Sequence, residues 1–530
     1  MSSGRNTERG LARLAALTLV SVALIVCIAL VFAQRRGARE QQGEQRRDGA
    51  ALVVTVRAGG NLQRALDAAR PGDTIMLEAG ATYPGPFTLP RKAGGDGWII
   101  VRTTTADSAL RPGERVAPAQ AHLLAKLVAP GRGEPALRTE AGAHHYRLVG
   151  LEFSTVTADA HAYDLVVLGD GGPTQTSVER VPHHITIDRC FVHAHPTQEL
   201  KRGVQLNSAH TEIINSHISG FKVKGQEAQA VGGWNGPGPF LIENNYLEGA
   251  GENIMFGGAR ANTAALVPAD ITIRRNHLRK PADWRGKWTV KNLLELKNAR
   301  RVKIDGNLME GNWLDAQQGY AVLFTPRPTD SSEWAAVEDV EFTNNVVRSS
   351  AAGLHVSGQD DLFTPAPREN RLKRVRIANN VFSDISYERW GGDGCFLKIG
   401  AGAEEVTVEH NTVMHDGNIT KAWGDPIRRF VFKDNLLRHN DYGIIGDGLG
   451  PGAKSIERYF PAAVFAGNVI IGAPEHLYPP RNFYPSSTAE VRFANLSNGD
   501  FRLAPSSPFK GRATDGRDPG CDFSQLPTAQ

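Results

Sequence analysis

Cysteine is scarce: four residues in 530, Cys27, Cys190, Cys395 and Cys521, follow no metal-ligand spacing. They are too few and too far apart for a disulfide framework that could define a fold. Cys27 sits in a hydrophobic run, so at most one bridge could form among the other three, and they read as unpaired small apolar residues. Aromatic residues make up only 7% of the chain, which argues against a core of large packed helices. A basic excess is missing from the body. Lys plus Arg is 60 against 56 for Asp plus Glu, but residues 1–50 hold eight arginines and four acids, which leaves 52 of each sign in residues 51–530. Nucleic-acid binders usually carry a basic excess in the folded part, so nucleic acid is not an expected partner. No Walker or dinucleotide fingerprint is present, so no nucleotide cofactor is expected.

One long charge-free run is present. Leu14 to Ala33 is 20 residues broken only by Thr18 and Ser21, enough to cross a bilayer core as a helix. Cleavage after Val31-Phe32-Ala33 is the alternative, although the run is longer than the apolar region of most signal peptides. Lipoprotein processing is disfavoured because Val26, not a small residue, precedes Cys27. The charged stretch 34–50 (QRRGAREQQGEQRRDGA) reads as a flexible tether. Residues 1–50 are therefore expected to be a membrane anchor and tether, and 51–530 the folded domain.

Past residue 140 one pattern returns: alternating apolar residues, two polar ones, an Asn, then another apolar position. It occurs as Ile271-Thr272-Ile273-Arg274-Arg275-Asn276-His277-Leu278 and as Val302-Lys303-Ile304-Asp305-Gly306-Asn307-Leu308. The recurring asparagines are Asn245, Asn276, Asn307, Asn345, Asn380, Asn411, Asn435 and Asn468, spaced 24 to 38 residues apart. Cys190 and Ser216 take that place in two earlier copies, and Tyr146 to Phe153 is a degenerate one. Inside each copy the period is two, which means short strands and not helices. Each Asn is expected to mark a corner, because asparagine tolerates left-handed backbone and its amide can bond the turn. Stacked corners would then form a ladder, a structural role with no catalysis.

Caps are expected at both ends, as solenoids require. Residues 61–70 (NLQRALDAAR) place Leu62, Ala65, Leu66 and Ala69 at helical spacing; Pro71-Gly72-Asp73 stops that helix, and Thr74 to Leu77 begins the first strand. Residues 499–530 are turn-rich and lack the Asn pattern, so they are expected to close the last coil. The fold predicted is all-β: a single-stranded parallel β-helix of about ten to twelve coils, with an N-terminal capping helix and an N-terminal transmembrane helix.

With these features the chain resembles the pectin-lyase-like superfamily of right-handed parallel β-helices. The likeness rests on the helical cap leading into PGDTIMLEAGATYPGPFTL, the Asn-cornered coils and the DFRLAPSSP…DGRDPG ending, and spans roughly residues 52–523. It is similar, more closely, to bacterial β-helix proteins with stretches such as GPFLIENNYLEGAGENIMFGG and LLELKNARRVKIDGNLMEGNW. The superfamily contains lyases, hydrolases, epimerases and adhesins, so fold is implied more strongly than activity. Because sugar-handling relatives of this kind are usually exported, the resemblance implies an extracytoplasmic body. The arginines flanking the hydrophobic run, three before and five after, would by themselves favour the opposite orientation.

Sites on a β-helix lie on outward residues of neighbouring coils. In Leu294-Glu295-Leu296-Lys297-Asn298 the two leucines should face inward and leave Glu295 and Lys297 on the surface. Lys297 stands about one coil before Arg327. This order is similar to that of the alginate and chondroitin lyases of polysaccharide lyase family six, in which a Lys is the Brønsted base and an Arg on the next coil assists. β-Elimination on a uronate needs a base for the proton beside the carboxylate and a cation for the charge that develops. A neighbouring Arg327 would push Lys297 toward neutrality, whereas Glu295 would push it back. The alternative is an ordinary surface ion pair worth about 0–1 kcal/mol.

His355, about one coil after Arg327, is a second candidate acid or base. Trp313 and Trp288, with Trp284 and the cations Arg285 and Lys287 in DWRGKW, would suit stacking on sugars, or would simply cover exposed core. Trp234, Glu252 and Asn253 fall on earlier coils and would extend a groove. A hydrolase would need two carboxylates across the sugar. Ser357-Gly358-Gln359-Asp360-Asp361 resembles the Gly-x-Asp-Asp of polygalacturonases, but their other motifs are absent. No cofactor is required by this reading. Ca²⁺ is a possible ligand at acidic loops such as the one bearing Asp447, yet the Asp cluster and Arg-x-Pro-x-x-Arg of pectate lyases are missing. The expected partners are an acidic polysaccharide and, through residues 14–33, a membrane. The leading expectation is a tethered β-helix that binds, and by elimination cleaves, such a polymer; a non-catalytic carbohydrate-binding scaffold and a two-carboxylate hydrolase are the alternatives.

Overall fold

Three long parallel sheets of 14, 13 and 12 strands run side by side along the chain. The computed structural model describes residues 51–327, 334–360 and 368–527. The apolar run 14–33 and Asp361 lie outside the described residues. Among the described residues, no helix is long and apolar enough to cross a membrane. One strand of each sheet makes a coil, so the third sheet counts twelve coils among the described residues. A typical coil runs Phe240–Glu243, Tyr246–Gly249 and Glu252–Phe256, and the next begins at Ala269. The protein is a parallel β-helix.

Period-two alternation builds the first sheet. In Ala269–Arg274, Ile271 and Ile273 are buried, Asp270 is exposed, and Thr272 and Arg274 are partly covered. Successive coils stack like on like: Ile271 pairs with Val302, which pairs with Val340, then with Val375 and Val406. Burying such a column is favourable by about 25 cal/mol per Å², and because each coil covers only its neighbours the core grows lengthwise.

The Asn ladder is present and unbroken. Asn245 N donates to Asn276 Oδ1 at 2.9 Å, Asn276 N to Asn307 Oδ1 at 2.9 Å, and Asn307 N to Asn345 Oδ1 at 2.9 Å. The series continues through Asn380, Asn411, Asn435 and Asn468 to Asn482, which the sequence pattern did not pick out. Upstream, Ser216 N donates to Asn245 Oδ1 and Cys190 N to Ser216 Oγ. One expectation about the corner needs correcting. The left-handed residue is the one before each ladder position: Arg189, Asn215, Asn244, Arg275, Asn344, Asn379, His410 and Asp434 all have φ between 51° and 58°. The ladder asparagine itself turns its amide inward, where it bonds backbone of the preceding coil and the side-chain Oδ1 of the next ladder asparagine.

The caps differ from expectation in detail. The N-terminal helix is Leu62–Ala68, capped by Asn61 Oδ1 accepting from Arg64 N, with Leu62 and Leu66 buried. A strand, Val53–Val56, precedes it and pairs with Thr74–Leu77, so the first sheet starts earlier than Thr74. At the other end the turn-rich tail does not stop at the last coil. It folds back along the outside of the corner: Thr514 N donates to Asp434 Oδ1, Gly520 N to Asp434 O, and Asp522 N to Asn379 Oδ1. Cys190, Cys395 and Cys521 are free thiols; burial pushes Cys190 and Cys395 up to about 12.

Candidate functional site

The third sheet departs from simple alternation. Glu252–Phe256, Asn292–Leu296 and Tyr320–Phe324 are buried at every position. The inner column is Ile254, Leu294, Val322, Leu354 and Leu397. The outer column is Met255, Glu295, Leu323, His355, Lys398 and Lys421. Long connections between the second and third sheets, and between the third and first, wall this outer face. The result is a groove of about 330 Å³ whose lining includes Glu295, Lys297, Tyr320, Arg327, His355 and Lys398.

The three candidates Lys297, Arg327 and His355 therefore share one groove. Arg327 stands one coil above Lys297, its backbone N donating to Lys297 O at 2.9 Å, so the 30-residue interval is a single turn of the solenoid. Arg327 Nε donates to Asp360 Oδ2 at 2.5 Å, which leaves Asp360 committed to a cation and unsuited as one of a hydrolytic carboxylate pair.

Glu295 and Lys297 are not on the surface, as alternation predicted. Their side chains are 1% and 2% exposed, and Lys297 Nζ lies 3.0 Å from Glu295 Oε1. The pair is ionic by distance but poorly aligned, since neither Glu295 oxygen has a donor in hydrogen-bonding geometry. Burial alone would lower Lys297, but Glu295, Glu252 and Glu227 outweigh burial and Arg327 together and hold its ammonium above the ordinary lysine range. The expectation that Arg327 would bring Lys297 toward neutrality is thus overturned: Glu295 on the same coil, whose opposing effect the sequence suggested, prevails with help from Glu252 and Glu227 of the preceding coils.

Those carboxylates form an acidic patch beside the lysine, with Glu295 and Glu252 buried and Glu227 part-exposed. Burial, then Glu295 and Glu227, push Glu252 up to about 8; Gln229 Nε2 donates to its Oε2 at 2.8 Å while Oε1 has no partner. Glu227 is paired with Lys291, and Lys297 and Lys291 overcome its burial to hold it below the usual range. Calcium does not fit here. A Ca²⁺ site gathers six to eight oxygens, whereas these three carboxylates do not form a three-ligand group and a lysine ammonium already stands among them. Asp447 is exposed and belongs to no such group either.

His355 is half-buried with Nε2 occluded and unpartnered. Burial, with Lys398 in support, pulls it down to about 3, so the ring is neutral across the physiological range. Tyr320, 5.5 Å away between ring centroids, donates its hydroxyl to Asp393 Oδ2 at 3.0 Å. Burial and the neighbouring Cys395 and Asp393 push the phenol well above its usual range. Tyr320 and Lys398 were missed from the sequence. Their signal was positional: Lys398 is the residue in register with His355.

The remaining candidates lie elsewhere. Trp313 is 1% exposed and packs with Ala250, Trp284 and Val290, with Trp288 partly buried against them. Trp313 is therefore core and not a sugar platform. The ring of Trp288 already carries Lys222 at 5.5 Å and Lys224 at 5.7 Å. Arg285 is exposed and donates to Arg389 O. Trp234 lies under Arg202 and donates to Gly171 O. Asn253 is buried, with Nδ2 donating to Leu247 O and Arg279 O and Oδ1 accepting from Lys280 Nζ; it is structural. None of these lines the groove beside Lys297.

No protein-family model matches the chain, and no curated protein matches it. Among solved structures, it is similar to the polysaccharide lyase family six alginate lyase AlyGC, at 13% identity and a TM-score of 0.54, over 90% of this chain and 58% of that one. The chain thus spans less than two thirds of that enzyme. A family six polysaccharide lyase from Pseudopedobacter saltans matches at 10% identity and a TM-score of 0.44, over 89% of this chain and 98% of that one. The catalytic unit of an α-1,3-glucanase of glycoside hydrolase family 87 from Streptomyces thermodiastaticus matches at 13% identity and 0.47, over 83% and 68%. At such identities the likeness to AlyGC establishes the fold alone, a parallel β-helix.

Proposed function

We propose that the groove over Lys297 binds an acidic polysaccharide and cleaves it by β-elimination. The observation that carries this reading is the convergence of Lys297, Arg327 and Lys398 with a neutral His355 and a protonated Tyr320 around one cavity. Its volume lies within the ordinary range for ligand clefts, roughly 300–1,000 Å³. The body has no net charge, so a polyanion would be held by this local cationic set and not by a global field.

The charged Lys297 is better suited to binding than to proton abstraction. With Arg327 it would face the uronate carboxylate and stabilise the negative charge that grows on it as the adjacent carbon loses its proton. His355 is the acceptor this arrangement leaves. A bound carboxylate would raise its affinity for a proton toward the useful range. The C5–H electrons form the C4=C5 double bond, the C4–O bond breaks, and the departing oxygen takes a proton from Tyr320. Lys297 as base is the competing assignment, and it would require Glu295 to let go of its ammonium. The burial of a charged Lys297 beside Glu295 also favours a second reading, a groove that binds the polymer without cleaving it.

The test is to incubate the full-length protein with alginate, pectate and glycosaminoglycans and follow ultraviolet absorbance for an unsaturated uronate. Signal lost in both His355→Gln and Lys297→Ala supports elimination. Signal kept in His355→Gln and lost in Lys297→Ala returns the base to Lys297. Retention of polymer with no absorbance change from any substrate would leave the binding scaffold. We further propose residues 14–33 as an anchor holding the body outside the cytoplasm, to be checked by protease accessibility of residues 51–530 in intact cells.

A further inference from the structure

Five histidines stand together on the first sheet of the N-terminal coils, far from the groove. His144 and His145 open the strand His144–Val149, His183 and His184 open His183–Asp188, and His210 lies in Ala209–Ile214 on the coil after. His183 is in register with His144, and Ala209 with His183. His145, His184 and His210 each hold left-handed backbone, with φ of 58°, 54° and 46°. That kink turns their rings outward into one file. His145 stacks on His184 at 4.5 Å between centroids and 6° between planes, and His184 stacks on His210 at 4.5 Å and 11°. His144 stacks on His183 at 5.1 Å and 5°. Two parallel files of imidazole result.

Between the files, nitrogens meet. His144 Nδ1 lies 2.8 Å from His145 Nδ1, and His183 Nδ1 lies 2.7 Å from His184 Nδ1. Each contact holds one proton at most, since one nitrogen must donate and the other accept. His144 Nε2 lies 3.2 Å from Lys92 O, which makes Nε2 its donor and Nδ1 the acceptor, and leaves His145 with a lone pair on Nε2. One ligand nitrogen from each of His145, His183 and His184 falls within 4.8 Å of the others. All three rings are part-exposed, so an ion could reach them from solvent.

Farther along the same left-handed column the side chains are Asp270, Arg301, Asp339 and Arg374, cross-linked by Arg301 to Asp270 and Arg374 to Asp339. There, opposite charges stabilise the stack. The histidine segment has no such complement within its file, and a cation would supply it. We propose that His145, His183 and His184 form a binding site for a divalent first-row transition metal such as zinc or copper. An all-imidazole set suits these ions and not calcium or magnesium, which take oxygen. The other gathering of three potential ligands among the described residues, His410, Asp434 and Asp515, is already spent on the tail: Asp434 accepts from Thr514 N and Oγ1.

Electron paramagnetic resonance of the full-length protein with one equivalent of Cu²⁺ tests this without any substitution. The expected spectrum shows superhyperfine splitting from several nitrogens, and equimolar Zn²⁺ competes for the site. His183→Gln and His184→Gln should each weaken Zn²⁺ binding more than about tenfold in calorimetry, with His410→Gln and the exposed His476→Gln unchanged. An oxygen-rich spectrum that survives in His184→Gln and is lost in His410→Gln would overturn the proposal. So would Zn²⁺ binding in the unaltered protein no tighter than in the double variant His183→Gln/His184→Gln.

Discussion

The Asn corner and the third-sheet groove both hold buried polar groups, yet they treat them in opposite ways. Along the corner, Asn245, Asn276, Asn307, Asn345, Asn380, Asn411, Asn435 and Asn468 are at most 2% exposed, and none has an unpartnered side-chain atom. In and beside the groove, Asn292 Oδ1, both Glu295 oxygens, Thr325 Oγ1, His355 Nε2 and Glu252 Oε1 lack hydrogen-bond partners. A buried polar group left without a partner costs about 1–3 kcal/mol. A fold able to satisfy eight successive corner amides, but leaving a cluster of orphans on one face, holds that face ready for something else to complete. The corner holds the solenoid together and the groove interrupts it.

The comparison breaks most visibly if a ladder residue is removed. Asn345 Oδ1 accepts from Asn307 N and Nδ2, and its Nδ2 donates to Ile304 O and Asn380 Oδ1. Asn345→Ala strands the buried Asn307 amide and the Ile304 carbonyl and takes one of two bonds from each of Asn307 Nδ2 and Asn380 Oδ1, and should cost about 4 kcal/mol. A drop in the midpoint of thermal unfolding, read by circular dichroism, measures it. Asn345→Asp should be nearly as harmful, because the acid supplies no donor for Ile304 O.

Removing Lys297 should have a somewhat smaller effect. Lys297→Met leaves Glu295 without its cation and should cost about 3 kcal/mol, while the double variant Lys297→Met/Glu295→Leu should recover most of it. Recovery of stability together with total loss of polymer cleavage would show that the pair is kept for chemistry. If the double variant is no more stable than the single one, Glu295 is not the partner that matters.

Glu252 adds a pH-dependent prediction. Its folded value of about 8 lies above the unfolded one near 4.3, so between those limits the folded state holds a proton that the unfolded state has released. Stability contributed there is present at low pH and declines as pH rises through that window. Glu252→Gln removes the titration and should flatten the decline between about pH 4 and pH 8, raising stability at pH 8 by about 2 kcal/mol. Urea melts at three pH values would read the slope. An unchanged slope would mean that Glu252 is ionised in the folded protein.

These regions also differed in how far they could be read from sequence. The corner was legible because one coil repeats another: an Asn two residues after an alternating strand says the same thing eight times. The groove was legible in its members and not in its electrostatics. Lys297, Arg327 and His355 could be brought together by counting coils. The state of Lys297 depends first on Glu295, whose effect the sequence suggested, and then on Glu252 and Glu227, which lie 45 and 70 residues earlier and come near it only once the registers are fixed. Alternation also misplaced Glu295, since it distinguishes inward from outward but not whether outward is open, and the connection carrying Gln317 and Gln318 lines that face. The histidine files left a trace that passed unread: a His-His pair immediately precedes the alternating residues in two successive coils, at 144–145 and 183–184.

The smallest expected effect sharpens the comparison most. Thr325 is 6% exposed and its hydroxyl has no partner, although its backbone N donates to Leu296 O. Val has the same shape without the hydroxyl, so Thr325→Val removes an orphan and disturbs no bond. In the ligand-free protein it should leave the unfolding midpoint unchanged or raise stability by up to about 1 kcal/mol, the opposite sign to Asn345→Ala although both side chains are buried. If the orphaned groups of the groove are satisfied by a bound sugar, the same variant should weaken polysaccharide binding several-fold while leaving the fold intact. A variant that loses stability would place a bound water on that hydroxyl, and the contrast between corner and groove would narrow accordingly.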